Sequence, residues 1–156
     1  MKKKERDKRD ILVRDGQRCY FCHKPMTLKK MTLDHYYPKS LRGPSVAYNY
    51  VCACKSCNKY KKATIPKDYQ AVLAENFYKA LKAKKIHVVK HFGYTLREII
   101  DMMSYIEAVE IKDKEVVFKG AYFIVNVREH HIIDIKQRQR GNDYDLNNGT
   151  FVFEAS

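Results

Sequence analysis

The chain has 156 residues, 45% of them hydrophobic, and this length predicts one compact domain or one domain with an appended lobe. It contains no run of 18 apolar residues, which excludes a membrane-spanning helix, so no membrane partner is expected. The charged N-terminal stretch MKKKERDKRD leads into no apolar signal core, so we expect a cytoplasmic protein.

The net charge of +13 is concentrated in the first part of the chain. Residues 1–66 contain 17 Lys and Arg against 5 Asp and Glu, whereas residues 67–156 contain 14 against 13. A field of one sign suits a polyanion, whereas a solvated charged face would mix the two signs. Nucleic acid is therefore the expected partner, and an anionic membrane surface is the rival interpretation.

A short basic helix is predicted over residues 4–15, because the stretch is rich in helix-forming residues and Gly16 follows it. Three apolar residues near its end are expected to pack inward: Ile11, Leu12 and Val13.

The segment from residue 18 to residue 66 is rich in Cys, Tyr and Lys and is predicted to be irregular. Its short apolar runs at 31–33 and 50–53 fit brief strands. A short helix is expected to begin near Cys57, and Pro66 breaks the chain after it.

Two amphipathic helices are predicted in the second half of the chain. Apolar residues at four-residue steps predict the first over residues 68–85: Tyr69, Leu73, Phe77 and Leu81. The second opens with Thr-Leu-Arg-Glu, in which Thr95 and Glu98 match a capping box. Its apolar face is predicted to contain Leu96, Ile99, Ile100, Met103 and Ile106.

Strand-like runs follow at 115–118, 121–127 and 131–135, with Gly120 in the first turn. A polar stretch then precedes a last short strand with the sequence TFVF. Residues 67–156 are thus predicted to form a lobe of two helices and a small antiparallel sheet. Its role is unassigned, and contact with DNA, contact with a protein partner and capping of the first segment all stay open.

Five cysteines would leave one over in a disulfide framework, so spaced pairs favour metal ligands in a cytoplasmic chain. Two Cys-x-x-Cys pairs, Cys19 with Cys22 and Cys54 with Cys57, are separated by 31 residues. This spacing is typical of a tetrahedral four-cysteine zinc site. Cys52 lies outside the pattern and is predicted to be a small core residue.

The pair Asp34-His35 lies between these two cysteine pairs, in a segment that also contains Asn49, and Asn58 directly follows the last cysteine. The runs RDGQRCYFC, LDHYYPKS and YNYVCACKSCNKYKK together resemble the zinc-knuckle branch of the HNH endonucleases, over about residues 14–64. The resemblance implies an α+β protein in which residues 1–66 form a basic ββα-metal nuclease core with a structural zinc.

The resemblance implies roles for four residues of this core. His35 corresponds to the general base, and Asn49 corresponds to the residue that orients the base by holding a ring nitrogen through its amide oxygen. Asp34 and Asn58 correspond to ligands of a catalytic divalent cation. The signature is therefore HNN, and an Asn at the last position keeps an oxygen ligand that suits Mg²⁺ or Mn²⁺. Tyr36-Tyr37 departs from the family pattern without touching a catalytic position.

Phosphodiester hydrolysis needs a base for the attacking water and a cation for the leaving oxygen, which explains an adjacent Asp and His. Because neighbouring strand residues point to opposite faces, the pair is expected at a strand distortion or turn, which Pro38 favours. Four basic residues are predicted to contact phosphate, the last two from the first turn of the helix behind Asn58: Lys39, Arg42, Lys61 and Lys62.

These observations predict a metal-dependent DNA endonuclease of phage or mobile-element type, which nicks DNA or cuts both strands. The alternative is a zinc-stabilised nucleic-acid-binding module that does not cleave. An RNA substrate is not excluded by the sequence.

Overall fold

The computed structural model describes residues 2–138 and 151–152. The chain divides into two compact units, Met1–Pro66 and Lys67–Ser156. No helix among the described residues is both long enough and apolar enough to cross a membrane. The predicted α+β class, with a four-cysteine cluster in the first unit, is confirmed.

The first unit is built from a β-hairpin between two helices. Its elements are α1 (Lys3–Arg14), β1 (Thr32–His35), β2 (Tyr50–Ala53) and α2 (Lys55–Lys61). The two strands are antiparallel, with Asp34 opposite Val51 and His35 opposite Tyr50. Helix α2 packs against β1, which completes a ββα arrangement.

The sequence predicted this unit closely, with three differences. Strand β1 extends through Asp34 and His35, so the pair lies in regular pairing and the expected strand distortion is wrong. Helix α2 begins two residues before Cys57, because Cys54 caps its N-terminus. Val13 is 70% exposed and does not pack inward, whereas Ile11 is buried.

A small apolar cluster lies beneath this hairpin, and three of its seven buried members are cysteines: Ile11, Cys19, Met26, Met31, Cys52, Ala53 and Cys54. The side chains of the last α1 residue and its C-cap supplement this cluster. The Arg14 guanidinium donates to the carbonyl oxygens of Ala47 and Tyr50, and Asp15 Oδ2 accepts from Cys52 N–H at 2.8 Å. The end of α1 is thereby fixed to β2 through backbone groups.

The described residues of the second unit form two helices, α3 (Tyr69–Lys82) and α4 (Leu96–Met103), and seven strands. The strands are β3 (His87–Val88), β4 (Tyr105–Ile106), β5 (Ala108–Lys112), β6 (Glu115–Lys119), β7 (Phe123–Arg128), β8 (His131–Gln137) and β9 (Phe151–Val152). Five strands form one sheet in the order β3-β8-β7-β6-β5, antiparallel except for the β3–β8 pair. Strands β4 and β9 form a separate antiparallel pair.

The main sheet has one apolar face and one face that carries charged side chains, although β6 does not alternate strictly, since its three central residues are all buried. Val109, Phe118 and Val125 are in register across three strands and are buried. Helix α3 covers this face, and the ring of Phe77 stacks on that of Phe118 at a centroid distance of 4.5 Å. On the other face, charged side chains pair across strands, as Glu110 does with Lys119 at 3.1 Å.

The predicted strands β6, β7 and β8, the turn at Gly120 and both helices are present. The Thr95 capping box is formed in full, with Glu98 N–H donating to Thr95 Oγ1 and Thr95 N–H donating to the Glu98 carboxylate. Ile106 was wrongly assigned to the helix, since α4 ends at Met103 and Ile106 lies in β4.

The sequence missed strands β3, β4 and β5, and Leu96, assigned to the apolar face of α4, is 40% exposed. The predicted polar stretch lies almost wholly outside the described residues. Of the predicted final strand, only the two residues of β9 are described.

Candidate active site

The four cysteines of the two pairs converge at one place. Their Sγ atoms all lie within 4.8 Å of one another, and those of Cys22 and Cys54 are 3.9 Å apart. Four sulfurs bound tetrahedrally to zinc at about 2.3 Å stand about 3.8 Å apart, so this cluster has the dimensions of a zinc site. Cys52, also buried, is not part of it.

Backbone N–H groups near the cluster stabilise the thiolate form of Cys19. Burial opposes thiolate formation at Cys19, but N–H groups of Cys22, Cys54 and Phe21 lower the pKa of Cys19 to about 6. Burial raises the pKa of Cys52, outside the cluster, to about 11. The thiolate form that binds metal is thus favoured at Cys19, whereas the hydrogen bond with Cys54 and burial raise the pKa of Cys57, in the same cluster, to about 12.

His35, the last residue of β1, lies half-buried at the edge of the hairpin. Its ring meets the Tyr50 ring edge-on at a centroid distance of 4.7 Å, and its Nε2 is 2.9 Å from Ser45 Oγ. Burial lowers the pKa of His35, and the positive charges of Lys39 and Lys61 lower it further. These surroundings favour the neutral imidazole, the form that a general base needs.

Asn49 holds the loop between the strands rather than the imidazole. Its side chain is fully buried, with Oδ1 accepting from Tyr37 N–H at 2.9 Å and Nδ2 donating to the carbonyls of Tyr37 and Pro44. The partners of this amide are thus backbone groups of the loop, rather than the His35 ring nitrogen that the resemblance implied. Asn49 is linked to His35 only indirectly: its hydrogen bonds hold the loop that places Ser45 next to the His35 ring.

Gly43 makes this fold of the loop possible. A Cβ at this position would lie 1.9 Å from the Tyr37 carbonyl oxygen, the same oxygen that accepts from Asn49. Gly43 N–H also donates to the Pro38 carbonyl at 2.9 Å. Only glycine allows the two sides of the loop to approach this closely.

Asp34 is buried, and its carboxylate faces α2. Lys61 Nζ lies 3.5 Å from Asp34 Oδ2, an ion pair too long for a good hydrogen bond, and Oδ2 has no hydrogen-bond partner. Burial raises the pKa of Asp34, and Lys61 offsets part of this increase. A buried carboxylate oxygen without a hydrogen bond is a suitable ligand atom for a hard cation.

Asn58 lies on α2, one turn after Cys54. Its side-chain Nδ2 donates to Thr32 Oγ1 at 3.2 Å, which fixes the amide against β1 and leaves the amide oxygen as the possible ligand atom. Asp34 and Asn58 each offer a side-chain oxygen, the ligand type that Mg²⁺ and Mn²⁺ prefer.

The family model described as HNH endonuclease matches residues 19–72. The predicted family is thereby confirmed for this segment. It spans about a third of the chain and ends within α3. Comparison with curated proteins and with solved structures gave no match.

The basic residues predicted to contact phosphate have different settings within the HNH segment. Lys39, Arg42 and Lys62 are exposed. Lys61 is not: its side chain is 8% exposed, and its Nζ donates to the His35 carbonyl at 2.9 Å as well as pairing with Asp34. Lys61 also ends α2 rather than opening it, so the prediction of a surface phosphate contact from a first turn is wrong for this residue.

Sequence reasoning missed two contacts of the HNH segment. Ser45 stands ten residues after His35 without a motif of its own, so only the folded loop reveals its contact with the imidazole. The reach of Lys61 to Asp34 and His35 depends on how α2 packs against β1. The regular spacing of Asn58 and Lys61 on one helical face was the available signal for the second contact.

Proposed function

We propose that the first unit is a metal-dependent endonuclease that hydrolyses phosphodiester bonds in DNA. The observation that supports this most strongly is the placement of Asp34 beside His35 on β1, within the segment that matches the HNH family. The buried Asp34 oxygen has no hydrogen bond, and burial with two nearby lysines lowers the pKa of the neighbouring imidazole. A module that only binds nucleic acid needs neither feature.

In this proposal His35 accepts the proton of the attacking water. In the tautomer whose Nε2 donates to Ser45 Oγ, the lone pair lies on Nδ1, which is then the basic nitrogen. General-base catalysis of this kind contributes typically about 10²–10⁴ in rate. Asn49 and Gly43 keep the loop that carries Ser45 in place, so they position the base without touching the substrate.

Asp34 and Asn58 would hold the catalytic cation, Mg²⁺ or Mn²⁺. When bound, such a cation supplies Lewis-acid stabilisation of the negative charge that develops on the phosphate and the leaving oxygen. The four clustered cysteines would hold a structural zinc ion, which has no open position for a substrate when all four thiolates bind it.

The substrate assignment follows from charge. The first unit carries nearly all the excess positive charge, and the exposed Lys39, Arg42 and Lys62 are proposed phosphate contacts. We assign DNA as the substrate, in the setting of a phage or mobile element and in the cytoplasm, where thiols stay reduced. Residues 67–156, near neutral in charge, are proposed to contact a protein partner rather than the DNA backbone.

The test is cleavage of supercoiled plasmid by zinc-loaded protein with Mg²⁺ or Mn²⁺, followed over time. His35→Ala should reduce the rate by about 10²–10⁴ while zinc content and DNA affinity stay unchanged. The matched control is His131→Ala, which removes an exposed imidazole in the second unit and should cleave normally.

The same assay separates the alternatives. Binding of DNA without cleavage by folded wild-type protein would replace the nuclease with a zinc-stabilised binding module. Cleavage of an RNA substrate in preference to plasmid would change the substrate class. Wild-type rates in His35→Ala would remove this residue from the mechanism.

A further inference from the structure

The side chain of Lys61 lies between the two residues that the proposed mechanism uses, His35 and Asp34. Its ammonium donates to the His35 carbonyl at 2.9 Å and stands 3.5 Å from Asp34 Oδ2. The side chain is only 8% exposed, although the residue is at the end of a short helix where a lysine ordinarily extends into water. Removing an ammonium from water costs free energy, so its position here needs compensation from a charged or hydrogen-bonding partner.

The ion pair between Lys61 and Asp34 leaves the carboxylate able to bind a different cation in place of the lysine. Asp34 Oδ2 receives no hydrogen bond, and 3.5 Å exceeds the usual distance of a charge-assisted bond. The ammonium therefore neutralises the carboxylate without saturating it. A divalent cation is smaller than an ammonium and carries twice its charge, so the same oxygen would bind it at about 2.0–2.2 Å.

We propose that Lys61 is an internal counter-ion that occupies the charge-compensating place at Asp34 until a divalent cation binds. Lys61 is then a positioning residue: it keeps Asp34 buried in the cation-free protein and gives way when the cation arrives. The inference rests on the proposed function, since it assigns Asp34 as the cation ligand. It adds that this protein's affinity for the cation is set by competition with its own lysine.

The competition makes a directional prediction for Lys61→Met, which keeps the length of the side chain and removes the charge. Mn²⁺ affinity at pH 8, measured by titration calorimetry on zinc-loaded protein, should rise at least about fivefold, the effect of one unit charge at about 4 Å even under bulk-water screening. Without Mn²⁺ the variant should melt at a lower temperature than wild type, and Mn²⁺ should raise its melting temperature more.

Two matched variants complete the experiment. Lys62→Met removes the same charge from the next residue, which is exposed, and should leave Mn²⁺ affinity close to that of wild type. Asp34→Asn should abolish Mn²⁺ binding in the presence or absence of Lys61. If Lys61→Met fails to fold, Lys61→Gln provides the same comparison with a shorter neutral side chain.

An affinity in Lys61→Met that equals or falls below that of wild type would overturn the proposal and leave Lys61 a structural ion pair, with wild-type cleavage and the proposed function unaffected. Absence of Asp34-dependent Mn²⁺ binding in both proteins would also overturn it. In that case the plasmid assay on wild-type protein decides separately whether the nuclease assignment fails.

Discussion

The first unit carries 17 basic against 5 acidic residues and gathers a small set of buried apolar side chains around four thiols. The second unit is nearly balanced, at 14 against 13, and buries a continuous apolar face of its sheet beneath α3. The first unit therefore combines polar contacts with a four-cysteine cluster that could hold a metal ion, and the second relies on burial of hydrophobic surface.

Loss of a metal ion from the four-cysteine cluster should cause the largest loss of stability, and only in the first unit. Binding by four cysteines is worth on the order of 10–16 kcal/mol in zinc-finger peptides, as much as the whole stability of a typical domain. Cys54→Ser should lose zinc and hydrogen-exchange protection in β1 and β2, while β6 and β7 stay protected. Elemental analysis and exchange measured by mass spectrometry test this.

The control for that experiment is Cys52→Ala, which removes a buried thiol outside the cluster and should keep one zinc per chain. A zinc-free Cys54→Ser protein with full protection in β1 and β2 would show that the first unit does not depend on metal.

Truncation of a core side chain in the second unit should cause the next largest loss of stability, and this loss should be confined to the second unit. Phe118→Ala removes a fully buried ring that stacks on Phe77 and should cost about 3–5 kcal/mol. Zinc content and exchange protection in the first unit should not change. Tyr122→Ala, at a 65% exposed position of the same unit, should cost far less. Loss of zinc in Phe118→Ala would show that the two units do not fold independently.

The smallest expected effect on stability tests the polar ties of the first unit. Asn49→Ala removes three hydrogen bonds to the loop backbone and leaves buried groups unpaired, which should cost about 1–3 kcal/mol. Plasmid cleavage should fall as well, because Ser45 is no longer held against His35.

Urea unfolding monitored by exchange in β1 and β2, beside the plasmid assay, measures both consequences of Asn49→Ala. Asn126→Ala, on the charged face of the second unit's sheet, is the matched amide deletion and should leave both readouts near wild type. Unchanged unfolding in Asn49→Ala would mean that the loop is held by other contacts.

What could be predicted from the sequence is what local spacing determines. Two Cys-x-x-Cys pairs indicate a four-sulfur cluster whatever lies between them, and the Thr95–Glu98 capping box satisfies its own helix terminus. Strand β7 likewise alternates the buried Val125 and Val127 with more exposed residues, a pattern that needs only a neighbouring strand to bury one face.

What could not be predicted depends on which elements meet in space. Strands β3 and β4 have two residues each, too few for any periodicity to show. Lys61 has the composition of a surface residue, and only the packing of α2 on β1 makes it a buried counter-ion. The Asn49 amide similarly found backbone partners instead of the predicted imidazole, because the loop folds back at Gly43.

Cys54 performs two tasks whose combination has a geometric consequence. Its Sγ belongs to the thiol cluster and accepts from Cys57 N–H, which makes it the N-cap of α2, and its carbonyl accepts from Asn58 N–H. The start of α2 is therefore fixed relative to the sulfur cluster, and this also fixes the positions of Asn58 and Lys61 on the helix. If zinc occupies the cluster, a larger thiophilic ion in its place would move the start of α2. Asn58 and Lys61 would then be misaligned relative to Asp34, although the exchanged ion does not contact the phosphate.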